Sequence, residues 1–215
     1  MAYVLNANHT QFSGGANGGT SGNVDTTGGD LIVIEYNFYT GSSPATLSDN
    51  KSNFYTDLTA QSDGVARTIP SYVQNPAVGS GHNFSVAGTT SFSSLYMLGF
   101  SGSTPTPFDQ QSGDNPTGTV GSITPSVDNC LVISGCVTQG TGHSMNGGFS
   151  VPEEGPNGTG TNFGGGIGYL IQTTAAVSAP TWSWTPVIDT TFAGRQASFK
   201  PATGGGDVLF AQSWM

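Results

Sequence analysis

Tyrosine, aspartate and serine abound in this sequence, but the side chains that could carry acid–base or nucleophilic chemistry form no constellation. The 3 histidines, His9, His82 and His143, stand far apart, and no two share the H-x-x-x-H spacing that places a pair of imidazoles on one metal. Glu153 and Glu154 are adjacent in a Pro/Gly-rich stretch. Neighbouring acids point different ways, whereas a glycosidase pair needs two carboxyls opposed across a substrate, so these read as solvated. Neither a G-x-S-x-G nucleophile elbow nor a G-x-x-x-x-G-K-[ST] phosphate loop occurs. Asp49, Asn50 and Asn53 in Ser48-Asp-Asn-Lys-Ser-Asn-Phe-Tyr offer oxygens at the spacing of a tight turn. A calcium site needs about six to eight oxygens, so the segment reads as an Asx-rich turn whose side chains bond their own backbone. The sequence therefore predicts no catalytic, cofactor-binding or metal-ligating residue, and no enzyme.

Cys130 and Cys136 sit in Cys-Leu-Val-Ile-Ser-Gly-Cys. On one strand they would share a face about 20 Å apart at ~3.3 Å per residue. A disulfide needs Cα atoms within ~7 Å, so pairing would require the chain to fold back at Ser134–Gly135. Two free, buried thiols are the expectation.

The elements that must position these residues follow from composition and period. Of 215 residues only 8 % are charged and 33 are glycine, yet 35 % are hydrophobic and 10 % aromatic, enough for a core. No apolar run approaches the ~18 residues of a membrane helix. The only cations are Lys51, Arg67, Arg195 and Lys200 against 13 acids, for a net charge of -9. Four dispersed cations cannot neutralise a phosphate backbone or an anionic bilayer, which excludes nucleic acid and membrane surfaces as partners. Short apolar-alternating runs recur about every ten residues between Gly, Pro, Asn and Asp. They are Ala2–Leu5, Leu31–Tyr39, Phe54–Ala60, Ile69–Gln74, Asn83–Ala87, Ser94–Phe100, Cys130–Val137, Gly166–Gln172, Thr181–Thr185 and Ala193–Phe199.

This spacing predicts an all-β antiparallel β-sandwich of jelly-roll or immunoglobulin-like topology over residues 1–203. Its core should hold Leu31, Val33, Phe54, Leu58, Val86, Leu98, Phe100, Leu131, Ile133, Leu170 and Phe199. Gly14–Gly29, Ser101–Gly121 and Gly140–Gly165 read as long loops. Trp182 and Trp184 share a strand face, either packed in the core or presented as an aromatic platform for a sugar ring. Residues 204–215 form a glycine hinge and an apolar tail. That tail is either the last strand of its own sheet or a peptide that adds to a neighbour.

One run of residues carries a resemblance. It comprises Gly29-Asp-Leu-Ile-Val-Ile, Ser48-Asp-Asn-Lys-Ser-Asn-Phe-Tyr-Thr-Asp-Leu and Val78-Gly-Ser-Gly-His-Asn-Phe-Ser-Val. It continues through Phe100-Ser-Gly, Pro107-Phe-Asp-Gln, Ile123-Thr-Pro-Ser, Asn129-Cys-Leu-Val-Ile-Ser-Gly and Phe199-Lys-Pro-Ala. Over residues 20–202 the chain resembles a β-sandwich module widespread in phage and environmental sequences and carried by virion and surface proteins. The resemblance implies a non-enzymatic virion structural protein, such as a capsid decoration or minor head protein or a surface appendage. A carbohydrate-binding or adhesive module of a cell surface is the alternative.

The N-terminus has no basic segment followed by an apolar one, so no signal peptide is expected. Synthesis in the host cytoplasm and residence on the virion exterior fit that reading. Attachment to a major capsid or other virion protein, and to further copies of the chain, would use Tyr3 and Leu5 at one end. At the other it would use Val208, Leu209, Phe210 and Trp214. A trimer is favoured by analogy with decoration proteins on threefold positions, and Trp182 and Trp184 are the candidate glycan contacts.

Overall fold

The computed structural model describes residues 2–12, 19–39, 46–88, 93–113, 118–156, 164–186 and 191–203. The tail, with Val208, Leu209, Phe210 and Trp214, lies outside the described residues. Among the described residues there is no helix. In chain order the strands are β1 (Val4–Phe12), β2 (Gly19–Thr20), β3 (Leu31–Tyr39), β4 (Thr46–Asp49), β5 (Thr56–Asp57), β6 (Gln61–Ser62), β7 (Ala66–Gln74) and β8 (Phe84–Ala87). They continue with β9 (Ser94–Ser101), β10 (Ser103–Gly113), β11 (Cys130–Thr138), β12 (Gly140–Met145), β13 (Ser150–Pro156), β14 (Gly164–Gln172), β15 (Trp182–Pro186) and β16 (Phe192–Pro201).

Two large antiparallel sheets, ordered β1-β9-β3-β7-β5 (with β6 also on β7) and β10-β16-β11-β14-β13, pack as the expected β-sandwich. Each carries a smaller sheet, β2-β8-β4 on the first and β12-β15 on the second. This layering explains the sequence of β3. Leu31 and Val33 enter the space between the large sheets with Leu98, Phe100, Leu131, Ile133 and Phe199. Ile32, Ile34, Tyr36 and Phe38 point the other way, onto Phe84 and Val86 of β8 and Leu47 of β4. A strand covered on both faces needs apolar residues at both parities, so the period-two alternation disappears. Burying each large side chain contributes about 1.5–3 kcal/mol. In β11, Cys136 and Ser134 face the small sheet while Leu131 and Ile133 face the large one. Both cysteines are buried and free.

Side chains close the sandwich at its flanks, where unpaired strand edges would otherwise face each other. On one side Asn8 Nδ2 and Thr10 Oγ1 of β1 donate to the Glu153 carboxylate of β13. On the other, Gln111 of β10 exchanges two bonds of 3.2 Å with Thr59, just beyond β5.

Several expectations are corrected. Ser101–Gly121 and Gly140–Gly165 are not simply long loops, because they contain β10 and the pair β12 and β13. These strands are rich in Thr, Gln, Ser, Pro and Gly, and their backbone pairing holds them without an apolar stripe. Phe54–Ala60 shortens to the two residues of β5, and Ala2–Leu5 lengthens into β1. Leu170 is half-buried rather than in the core. Phe54 is 92 % exposed, because the turn before β5 draws Asn53 and Tyr55 inward and leaves the residue between them outside.

Candidate functional site

The Asp49 turn is the Asx turn the sequence predicts, and it is also a junction of three segments. The Asp49 carboxylate accepts from Lys51 N (2.9 Å), Asn53 N (3.0 Å), Asn53 Nδ2 (2.7 Å), Tyr55 Oη (2.6 Å) and His82 Nε2 (3.0 Å). Burial works to raise its pKa. The bonds from Tyr55, Asn53 and His82 outweigh burial and hold the carboxyl below its ordinary range. Burial lowers the pKa of His82 against the pull of Asp49, so the ring is neutral. It donates through Nε2 and accepts Thr26 Oγ1 at Nδ1 over 2.9 Å.

A second chain of the same kind joins β11 and β13 of the second large sheet to β12 of the small sheet that covers it. His143 Nδ1 donates to Glu154 Oε2 at 3.2 Å, and its Nε2 accepts the Thr138 hydroxyl at 2.7 Å. Carboxylate, imidazole and hydroxyl are in the order of a hydrolase triad. Burial decides against that use. Thr138 is fully buried, and Gly140 N donates to its oxygen at 3.1 Å, so no substrate carbonyl can reach it. The three residues tie β11, β12 and β13 together. Burial lowers the His143 pKa against the opposing pull of Glu154. The two acids read as solvated are thus both engaged, Glu153 on β1 and Glu154 on His143.

Between the large sheets lies Glu35, fully buried, with its pKa pushed up to about 8 by burial while the Thr68 hydroxyl and the Arg195 charge oppose the shift. Its carboxyl fills the space left by Gly135 of the facing strand, where a Cβ would overlap it. Arg195 is held in turn by Gln111.

A wider cavity lies elsewhere. A groove of about 590 Å³ opens where the described chain begins and ends, lined by Ala2, Val127, Asp128, Asn129, Lys200 and Pro201 among others. Its rim is fixed. Ser126 donates to Asp109 from its backbone (2.9 Å) and hydroxyl (2.5 Å), and Ala175 N donates to Asp128 at 2.7 Å. Asn129 takes the left-handed φ of 60° that closes the turn into β11. The groove offers one cation, one carboxylate, an amide and apolar patches, a set suited to binding.

The residues singled out in the sequence do not converge there. Tyr3 is 2 % exposed, stands edge-on to Phe100 and donates to Lys200 O at 2.6 Å, so it belongs to the core and not to a partner surface. Leu5 packs half-buried against the same core. Trp182 and Trp184 do share a face, but it is turned inward. Trp182 is 2 % exposed and donates to Ser134 at 3.0 Å, and Trp184 stacks on Phe192 with ring centres 5.3 Å apart. Trp182 therefore cannot form a sugar platform. Among the described residues no three His, Cys, Asp or Glu side chains gather as a metal would require. Sequence reasoning missed the groove, whose one signal was Lys200, a rare cation just before the chain's end region. No protein-family model, no curated protein and no solved structure matches this chain.

Proposed function

We propose that this protein is a non-enzymatic structural component of a virion, a capsid decoration or minor head protein or a surface appendage, working as a homo-oligomer with a trimer favoured. One observation carries the reading. Asp49, His82, His143 and Glu154 each use a polar atom in bonds that hold strands and layers together, and Glu35 is enclosed between the large sheets with one carboxyl oxygen on Thr68. Such a molecule resists deformation and offers its surface for contact. The resemblance over residues 20–202 supports the same role. With net charge -9, copies repel one another, so attachment must come from apolar contacts and a few placed ion pairs.

Mass spectrometry of purified particles from the native source tests this directly, with immunogold labelling to place the chain on the exterior. The chain is expected in a fixed ratio to the major capsid protein. Intact, infectious particles that lack it would overturn the reading. The cell-surface carbohydrate alternative loses its aromatic platform, since Trp182 is enclosed.

A further inference from the structure

We infer that Phe54 is the contact by which one copy of this chain docks into the groove of a second copy. The inference rests on the homo-oligomer reading above and names the surfaces that make it.

Phe54 is the most exposed of the large hydrophobic side chains among the described residues, at 92 %. Single exposed apolar residues are ordinary on protein surfaces. The base of this one is not. Asp49 fixes the turn with five accepted hydrogen bonds. Asn53 clamps Ala77 in both directions, accepting from its N–H at 2.7 Å and donating to its carbonyl at 3.0 Å. Ser52 sits at a φ of 61°, a conformation held by these bonds. The ring is thus presented on a backbone that is already ordered, and binding through it sacrifices little conformational entropy. It stands outside the core clusters of the described residues.

The receiving surface is on the same chain. The groove of about 590 Å³ lies in the ~300–1,000 Å³ range of cavities that enclose compact ligands, ample for a phenyl ring. Val127, 42 % exposed, joins Ala2 and Pro201 as its apolar lining. A charge pair is also available: Lys51, one of 4 cations in the chain, is three residues before Phe54, and the groove carries Asp128 as well as Lys200. One contact would then bury the most exposed ring and pair a cation with an acid, which two copies of net charge -9 need in order to associate. Ring and groove are different patches, so the contact is head-to-tail and either closes into a ring or propagates. A trimer is the closed form with three such contacts.

The test uses the full chain, with light scattering after gel filtration over a concentration series. Wild type is expected to self-associate, and Phe54→Ser and Val127→Asp should each weaken association by at least ~30-fold, the loss typical of a central contact residue. Both positions are exposed, so both variants should keep the wild-type melting temperature and circular dichroism. The decisive arm is the mixture. Phe54→Ser retains the groove and Val127→Asp retains the ring, so together they should form a one-to-one dimer that neither forms alone. A wild type that stays monomeric, variants that associate like wild type, or a mixture no better than its components would each overturn the inference. A monomeric wild type would overturn the homo-oligomer reading as well, whereas variants that associate like wild type would overturn this contact alone, and neither result bears on whether the chain is found in particles.

Discussion

The space between the two large sheets has two halves built on the same three strands. At one end the inward residues are Leu31 and Val33 of β3, Leu131 and Ile133 of β11, and Ala197 and Phe199 of β16. Further along the same faces they become Glu35 and Asn37, Gly135, and Arg195. The apolar half holds the sheets by area removed from water, which any well-packed large side chain supplies. The polar half holds them by fit: Gly135 makes room for the Glu35 carboxyl, Thr68 bonds it, and Asn37 donates across the gap to Cys136 O at 3.0 Å. The first kind of adhesion tolerates a change of pH and suffers from lost volume. The second tolerates neither a change of charge nor an added methyl group.

Four measurements sharpen that contrast. Phe100→Ala should cost the most, about 3–5 kcal/mol of unfolding free energy by urea titration, equally at pH 5 and pH 8. Next comes the pH dependence arising from Glu35. Its folded pKa of about 8 lies above the ordinary 4.5, so its contribution is complete below about pH 4.5 and is lost as pH rises toward 8. The whole span is on the order of a few kcal/mol. Glu35→Gln should abolish that decline in a series of melting curves. What remains is the opposite slope of His82 and His143, whose lowered pKa values make stability fall as pH drops below about 6.5. Retention of the alkaline decline in Glu35→Gln would assign it to another group. Gly135→Ala should destabilise by about 1–3 kcal/mol through overlap with Glu35. Combining it with Glu35→Ala should recover part of that loss, because the overlapping atoms are gone. Least of all, Phe54→Ser should change stability by under about 0.5 kcal/mol, the range of surface substitutions.

The sandwich itself was legible because alternating runs and turn residues recur regularly, and Leu98, Phe100, Leu131, Ile133 and Phe199 are all in the core as expected. The two covering sheets were legible only in part, since Asn83–Ala87 and Thr181–Thr185 stand as β8 and β15 but their partner strands were not read. Those partners, such as Gly140–Met145 and Gly19–Thr20, carry so little apolar pattern that only long-range pairing defines them. Phe54 misled for a related reason. An aromatic beside Tyr55 looks like core until Asp49 is seen to draw Tyr55 inward, and that bond spans six residues and depends on His82 behind it. Glu35 could be placed on the same parity as Leu31 and Val33 from the sequence. That a glycine on another strand, 100 residues later, would leave it a socket could not. Of the residues proposed as contacts, Tyr3 and Trp182 failed because a large aromatic near a chain end or in a short strand is as useful for closing a core as for meeting a partner.

The free thiols have a practical consequence. Cys130 and Cys136 are enclosed on the same face of β11, and burial raises both of their pKa values, that of Cys136 well above its ordinary value. The thiolate is the reactive form, so the native chain is doubly protected from alkylating reagents and oxidants. Labelling of Cys136 can then proceed only through excursions that lift the β12-β15 cover or unfold the strand. The rate at which a thiol reagent consumes Cys136 is a clock for the lifting of that cover.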